Sequence, residues 1–217
     1  MKNDDHFFAT CDSHTLCRVG GNGPINVTQI MPLIRYVNDG DSFLDIGCGS
    51  GTTIDALKAI KKDVKYKGVD FIEKHIKWLK ENYPDLEFQV EDARHLDEAD
   101  QSWDVVWSRH VVDHLESFEG SMDEQFRVAK KKIICILWYP FTNGDVHDIK
   151  IVTTGSDEAN NKMEYPDEFL NQYNKDLIMK YFESKKDWQV LAFQEDCVWD
   201  VSRNDKGHDS IIVLAKV

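Results

Sequence analysis

Positive charge is scarce in this chain. Among its 217 residues, 26 are Lys or Arg and 39 are Asp or Glu, so the formal net charge is −13. An acidic surface repels phosphate backbones, and we therefore expect no nucleic-acid partner. No apolar run reaches the roughly 18 residues that span a bilayer, and residues 1–5 lack the charged and apolar regions of a signal peptide. The sequence predicts a cytoplasmic protein with no membrane partner.

Cysteines are few, odd in number and widely spread. The five are Cys11, Cys17, Cys48, Cys135 and Cys197, a distribution that argues against a disulfide framework. The chain also shows no internal repeat and no low-complexity tract. Its length suits one α/β domain with a full core, whereas two independent domains would be crowded. We therefore predict a single domain over residues 1–217.

The most informative stretch runs from Ser42 to Gly51. A short apolar strand is followed by glycines at positions 47, 49 and 51, and a helical pattern begins at Thr52. Glycine can adopt a positive φ and allows a ligand to approach the main chain. Asp45 places a carboxylate at the end of the strand, and turn N–H groups with a helix N-terminus can meet a polar ligand. The stretch predicts a nucleotide-type site, with a generic glycine turn as the alternative.

The order of the glycines distinguishes two cofactors. A dinucleotide fingerprint would require glycine at position 52, which is Thr52. The pattern Asp45-x-Gly47-x-Gly49-x-Gly51 resembles the first motif of the class I S-adenosylmethionine-dependent methyltransferases of the small-molecule type. That resemblance implies a Rossmann-like, seven-stranded α/β sheet with helices on both faces and a C-terminal antiparallel hairpin. It also implies S-adenosyl-L-methionine as the cofactor, with the loop, Cys48 included, against its methionine part and Asp45 linked to its amino group.

An acidic residue at the end of the second predicted strand extends the resemblance. Asp70 follows Gly51 by 19 residues, near the spacing at which an acid accepts hydrogen bonds from ribose hydroxyls. The family implies this role for Asp70, with Phe71 beside it. The alternative is an ordinary helix N-cap, because a helical pattern follows.

A second acidic residue follows the third predicted strand, residues 86–90. In similar enzymes an acid at this position meets the adenine amino group while a neighbouring backbone N–H meets a ring nitrogen. The resemblance assigns these roles to Asp92 and Ala93. A single Asp in a loop is weak support, but its place in the series Asp45, Asp70, Asp92 strengthens the assignment.

The fourth predicted strand, Trp103–Ser108, is apolar on both faces, as expected at the centre of a sheet. The residues after it resemble the post-strand segment of this family, where the backbone and one side chain lie beside the transferred methyl. We therefore expect Ser108 and Arg109 to contact the cofactor. Nucleic-acid and glutamine N-methyltransferases carry Asn/Asp-Pro-Pro-Tyr here, and its absence from residues 107–110 argues against that chemistry.

Two histidines near this strand end are candidate bases. Methyl transfer to a hydroxyl benefits from a general base, and His110 follows the central strand, where the ligand crevice of such a sheet lies. His114 comes one helical turn later, and Asp113 could orient an imidazole. A histidine at a helix start is more often a cap or a packed surface residue, so the assignment stays open, and His147 is a further candidate.

The remaining patterns complete the predicted domain. Residues 140–165 show little periodicity and suggest a substrate-side insertion or lid. Pro166 predicts the start of a helix that continues to Phe182, and Lys130–Lys132 suggest the basic end of the preceding helix. Residues 188–193 and 208–217 predict the terminal hairpin.

The N-terminal residues 1–26 predict an arm over the cofactor mouth. His6, Cys11, His14 and Cys17 cluster there, but their spacing matches no common zinc module. No metal is predicted, and whether the cluster binds one stays open.

The resemblance implies a methyltransferase, and we expect it to act on a small molecule or sugar, preferentially at oxygen. The alternatives are N-methylation of an amine or amino acid and a cofactor-binding module without transfer activity. The sequence indicates neither the acceptor nor the oligomeric state.

Overall fold

The computed structural model describes residues 27–138, 141, 148–152, 168–200 and 207–217. The α-helices in these ranges are α1 (Val27–Tyr36), α2 (Thr52–Ala59), α3 (Glu73–Asn82), α4 (Glu119–Val128) and α5 (Lys175–Ser184). A 3-10 helix covers Val112–His114. The strands are β1 (Ser42–Ile46), β2 (Lys65–Asp70), β3 (Glu87–Val90), β4 (Trp103–Arg109), β5 (Ala129–Leu137), β6 (Asp148–Val152), β7 (Glu168–Gln172), β8 (Trp188–Asp200) and β9 (Gly207–Lys216).

Seven strands form one sheet in the order β3-β2-β1-β4-β5-β9-β8. The first five are parallel, β9 is antiparallel to β5, and β8 is antiparallel to β9. This is the seven-stranded sheet with a terminal antiparallel hairpin that the sequence predicts. Strands β6 and β7 pair only with each other among the described residues.

Alternating side chains of the central strands build a core on each face of the sheet. Leu44 and Val106 pack with residues of α4 and α5. Phe43 and Trp107 lie on the other face, with residues of α1, α2 and α3, and both are fully buried. Helices on both faces explain why these strands are apolar throughout.

The strand ends determine where a ligand can bind. Parallel strands end at the same edge of a sheet, and ligands bind in the crevice outside that edge. Because β9 runs the opposite way, its first residues lie at this edge, with Ser210 opposite Leu137, the last residue of β5. The edge therefore combines the glycine loop after β1 with the segments that follow β2 and β4 and the start of β9.

Two local predictions are wrong. Residues 168–172 form β7, and α5 begins only at Lys175, because the backbone of residues 168–172 pairs with β6. Lys130–Lys132 belong to β5, which begins at Ala129, rather than to the end of a helix. Lys131 Nζ lies 3.2 Å from Asp41 and 3.1 Å from Asp104, so this lysine contacts two carboxylates beside the sheet.

Several sequence predictions lie outside the described residues. These are the N-terminal arm 1–26 with its His and Cys cluster, His147, Pro166 and most of the insertion 140–165, of which β6 is described. Within the described part of the chain, no helix is long and apolar enough to cross a membrane.

Candidate active site

The glycine loop leaves one open approach to the main chain. Gly47, Gly49 and Gly51 have φ values of 66, 51 and 83°, a region that L side chains rarely adopt. A Cβ added to Gly47 would lie 2.3 Å from Val111 Cγ2, and one on Gly51 would lie 2.9 Å from Leu79 Cδ2. At Gly49 the nearest atom would be 4.0 Å away. The loop is therefore closed at both ends and open above Gly49.

Three N–H groups of the loop already have acceptors within the protein. Cys48 N donates to Val69 O at 3.0 Å, and Gly51 N donates to Cys48 O at 2.9 Å. Gly49 N donates to Asp70 Oδ2 at 2.9 Å. The expectation that turn N–H groups meet a polar ligand thus fails for these three donors. A loop of this kind offers a close-packing surface rather than the N–H cradle that holds a pyrophosphate.

Asp45 is a buried carboxyl group at the end of β1. It is 1% exposed and accepts a hydrogen bond from Tyr66 Oη at 2.7 Å. Burial raises the pKa of Asp45 to about 7, against hydrogen bonds from Tyr66 and Thr53 that lower it. Asp45 can therefore exchange a proton near neutral pH, and its link to a cofactor amino group stays a prediction.

Asp70 connects the glycine loop to the start of α3. Its Oδ2 accepts from Gly49 N, and its Oδ1 accepts from Ile72 N at 2.9 Å. Each carboxylate oxygen has a second lone pair, so ribose hydroxyls could still donate to Asp70. The alternative role of Asp70 at a helix start is also seen in part. Its carboxylate accepts from the N–H of Ile72, which is the N-cap residue of α3. Phe71 is 38% exposed beside it, and Cys48 is buried behind the loop against Gly68.

Two sets of ionic contacts stabilise the loop that contains Asp92. Its carboxylate accepts from Arg94 N at 2.8 Å and Arg94 Nη2 at 2.7 Å. Partial burial opposes ionisation, but the Arg94 contacts outweigh it and lower the pKa of Asp92. Ala93, next to it, is half-buried. Lys67 of β2 contacts Glu91 and Glu98, and this anchoring of the loop was not predicted from the sequence.

The last two residues of β4, Ser108 and Arg109, point to opposite faces of the sheet. Ser108 Oγ donates to Gln125 Oε1 at 3.1 Å, on the side of α4. Arg109 Nε is buried without a hydrogen-bond partner among the described residues. Burial lowers the pKa of Arg109, against the attraction of Asp209 and Asp45. The Arg109 guanidinium is thus held near two carboxyl groups.

His110 has an unusual backbone and a fully buried partner. Its φ is 55°, and its Nε2 lies 2.9 Å from Asp209 Oδ1. Its ring stacks on Trp138, with 5.0 Å between the ring centroids. Burial and the neighbouring Arg109 lower the pKa of His110 to about 4, against the Asp209 contact. The imidazole is therefore neutral at physiological pH.

Asp209 was not predicted from the sequence. It is fully buried and also accepts from Thr28 Oγ1 at 2.5 Å, so it joins α1 to the end of β4. The sequence carries one weak signal for this residue. The polar pair Asp209-Ser210 precedes four apolar residues near the start of the last strand, β9.

Comparison with known proteins identifies the central part of the chain. Residues 44–137 match the family model described as a methyltransferase domain. The match is confined to this part of the chain. A curated relative, the ribosomal protein L11 methyltransferase of Dictyoglomus turgidum, is 36% identical over 97 residues, which are 43% of this chain and 31% of the relative. The chain spans only 31% and 24% of the length of the two curated relatives it matches.

Solved methyltransferase structures share the fold of the whole domain. An S-adenosylmethionine-dependent methyltransferase from Methanosarcina mazei has a TM-score of 0.65 at 18% identity, covering 86% of this chain and 97% of that one. The 1,6-didemethyltoxoflavin-N1-methyltransferase of Burkholderia thailandensis, solved with S-adenosylhomocysteine, has a TM-score of 0.67 at 12% identity, covering 99% and 87%. The class I methyltransferase resemblance is confirmed, and S-adenosylmethionine is the cofactor of that class.

The structure of the methyltransferase domain brings most of the predicted residues to one edge of the sheet. Asp45, the glycine loop and Asp70 are in direct contact through hydrogen bonds or chain neighbours, and Arg109 and His110 lie beside Asp209. Asp113 contacts other groups. Its Oδ2 accepts from Trp138 N at 3.2 Å, and burial raises its pKa to about 8. The His114 ring meets Trp138 edge-on, with 5.9 Å between centroids.

Proposed function

We propose that this chain transfers the methyl group of S-adenosylmethionine to a hydroxyl of a small molecule or sugar. The observation that supports cofactor binding most directly is the open approach above Gly49, whose N–H donates to Asp70. Asp45 would meet the amino group, Asp70 the ribose and Ala93 the adenine. The bound cofactor would supply a methyl group activated by a sulfonium. The protein's contribution is then to align and desolvate the acceptor.

The preference for oxygen rests on the state of His110. A hydroxyl must lose its proton as it attacks, and a neutral imidazole can accept that proton. Burial and Arg109 lower the pKa of His110 to about 4, so the imidazole is neutral at physiological pH and is a weaker base than a free histidine. Similar folds serve other acceptors, since one structural relative is named as an N1-methyltransferase and one curated relative as a ribosomal protein methyltransferase.

Cofactor binding can be tested with two matched glycine variants. Gly49→Arg fills the open approach and adds a positive charge where a sulfonium would lie. Gly40→Arg is the control, because Gly40 also has a positive φ, 84°, and open space around an added Cβ, but lies in the loop before β1. Calorimetry with S-adenosylhomocysteine should show at least about a tenfold loss of affinity for Gly49→Arg and little change for Gly40→Arg. Equal affinities, or no binding by the unaltered chain, would contradict the proposal.

A panel of methyl acceptors tests the oxygen assignment. Methyl release is measured with phenol and methyl glucoside as hydroxyl probes, a primary amine, a carboxylic acid and a basic protein. Transfer to a hydroxyl probe supports the proposal. Transfer to the amine or the protein alone contradicts it, and cofactor binding without any transfer favours a module that has lost activity.

A further inference from the structure

Contacts of both the backbone and the ring fix the position of His110. Its backbone has a positive φ of 55°, and its N–H donates to Ile136 O at 2.8 Å. The Trp138 ring stacks on the imidazole with an interplanar angle of 23°. A non-glycine residue keeps such a backbone only where its surroundings impose it, and such positions cluster at active sites.

Asp209 determines which imidazole nitrogen carries the proton. Its Oδ2 accepts from Thr28 Oγ1, and its Oδ1 faces His110 Nε2 at 2.9 Å. A carboxylate can only accept hydrogen bonds, and this one already accepts from Thr28 at its other oxygen. The contact therefore requires an Nε2–H and leaves the lone pair on Nδ1. The His110 side chain is 14% exposed and Asp209 is 0% exposed, so the imidazole is the end of the pair that other molecules can reach.

We propose that Asp209 is a positioning residue for methyl transfer, which holds His110 as the Nε2–H tautomer so that Nδ1 accepts the proton of the acceptor hydroxyl. This role rests on the proposed O-methylation. The proton moves from the hydroxyl to Nδ1 while the oxygen bonds to the methyl carbon, and the carbon–sulfur bond breaks with its electron pair passing to sulfur. The imidazolium keeps its Nε2–H bond to the Asp209 carboxylate.

The charges around His110 explain why this partner matters. Arg109 of β4 and His114 of the 3-10 helix both disfavour a positive imidazolium, and Asp209 of β9 favours it. Asp113 is a poor substitute, because its Oδ2 accepts from Trp138 N and burial raises its pKa to about 8, which favours its protonated form near pH 7. Asp209 thus offsets the charge that forms on the ring during transfer.

Histidine NMR and kinetics together test the role of Asp209. In the ¹⁵N-histidine-labelled protein with S-adenosylhomocysteine, we expect His110 as the Nε2–H tautomer, with a low-field Nε2–H resonance that Asp209→Asn moves upfield or removes. Asp209→Asn should lower kcat with the hydroxyl probe about 100-fold or more, with S-adenosylhomocysteine affinity changed less than about twofold. Ser210→Ala is the matched control, because Ser210 is equally buried and its Oγ has no partner among the described residues. It should change neither the resonance nor kcat.

A second variant separates positioning from anchoring. Thr28→Val removes the other hydrogen bond of Asp209 and should preserve both the tautomer and most of the turnover. If Thr28→Val lowers turnover as much as Asp209→Asn, Asp209 only anchors α1 and the proposal is overturned. An Nδ1–H tautomer in the unaltered protein, or full turnover by Asp209→Asn, also overturns it. Failure of the unaltered protein to bind S-adenosylhomocysteine contradicts the proposed function instead, since the tautomer is measurable without turnover.

Discussion

At the scale of single residues, two buried aspartates, Asp209 and Asp113, differ in the hydrogen-bond donors that surround them. Asp209 has two hydrogen-bonding partners and a guanidinium nearby. Asp113 is as deeply buried but accepts only at Oδ2, and its Oδ1 has no partner among the described residues. Desolvation therefore dominates at Asp113 and raises its pKa to about 8. Asp209, in contrast, contacts His110 Nε2 directly, at 2.9 Å.

The raised pKa of Asp113 predicts a pH-dependent cost to folding. Between the ordinary value of 3.8 and about 8, the folded state holds a proton that the unfolded chain has lost, so stability falls as pH rises through this window. Asp113→Asn is neutral at every pH and keeps an acceptor for Trp138 N. Chemical denaturation should show that its advantage over the unaltered chain grows by about 1–3 kcal/mol between pH 5 and pH 8. A difference that does not vary with pH would contradict the protonated state of Asp113.

At the scale of elements, the segment from β7 to α5 supports the residues that follow β4. Tyr173 Oη donates to Val112 O at 2.7 Å, and Asn171 Nδ2 donates to Leu115 O at 2.5 Å. Val112 O also accepts from Leu115 N within the 3-10 helix. Strand β7 and the residue that follows it are therefore hydrogen-bonded to the segment that begins at His110.

Tyr173→Phe removes one of these bonds while keeping the ring packed against Phe118. We expect a loss of about 1 kcal/mol in the free energy of unfolding and faster hydrogen exchange at the Leu115 amide. Tyr181→Phe is the control, since its hydroxyl donates to the exposed Asp123 carboxylate. The same increase of Leu115 exchange in both variants would show that Tyr173 does not hold this segment.

Element boundaries show where local sequence patterns are insufficient. Phe169, Leu170 and Tyr173 have helical spacing, yet the first two lie in β7, because backbone pairing with β6 prevails over local periodicity. The lysines 130–132 suit a helix end, but they belong to β5, where Lys131 contacts Asp41 and Asp104. Both errors come from partners that are distant in the sequence.

At the scale of the whole molecule, the two halves of the site differ in how far the sequence predicts them. The proposed cofactor half rests on continuous motifs, from Asp45 to Gly51 and around Asp70 and Asp92. The parallel strands that carry these motifs could be predicted, and the cofactor roles of the residues stay predictions. The half around His110 depends on contacts between distant segments. Thr28 and Asp209 are 181 residues apart, and His110 and Asp209 are 99 apart. No local pattern connects these three residues. Asp209 reaches His110 because β9 pairs with β5, which brings the first residues of β9 to the edge where β4 ends.

The most direct test of the cofactor site is a crystal structure of the chain with S-adenosylhomocysteine. We expect the homocysteine part above Gly49, the ribose hydroxyls at Asp70, and the adenine beside Ala93, with the bonds from Asp70 to Gly49 and Ile72 preserved. A ligand bound elsewhere on the domain, or one above the loop that does not contact Asp70, would contradict this expectation.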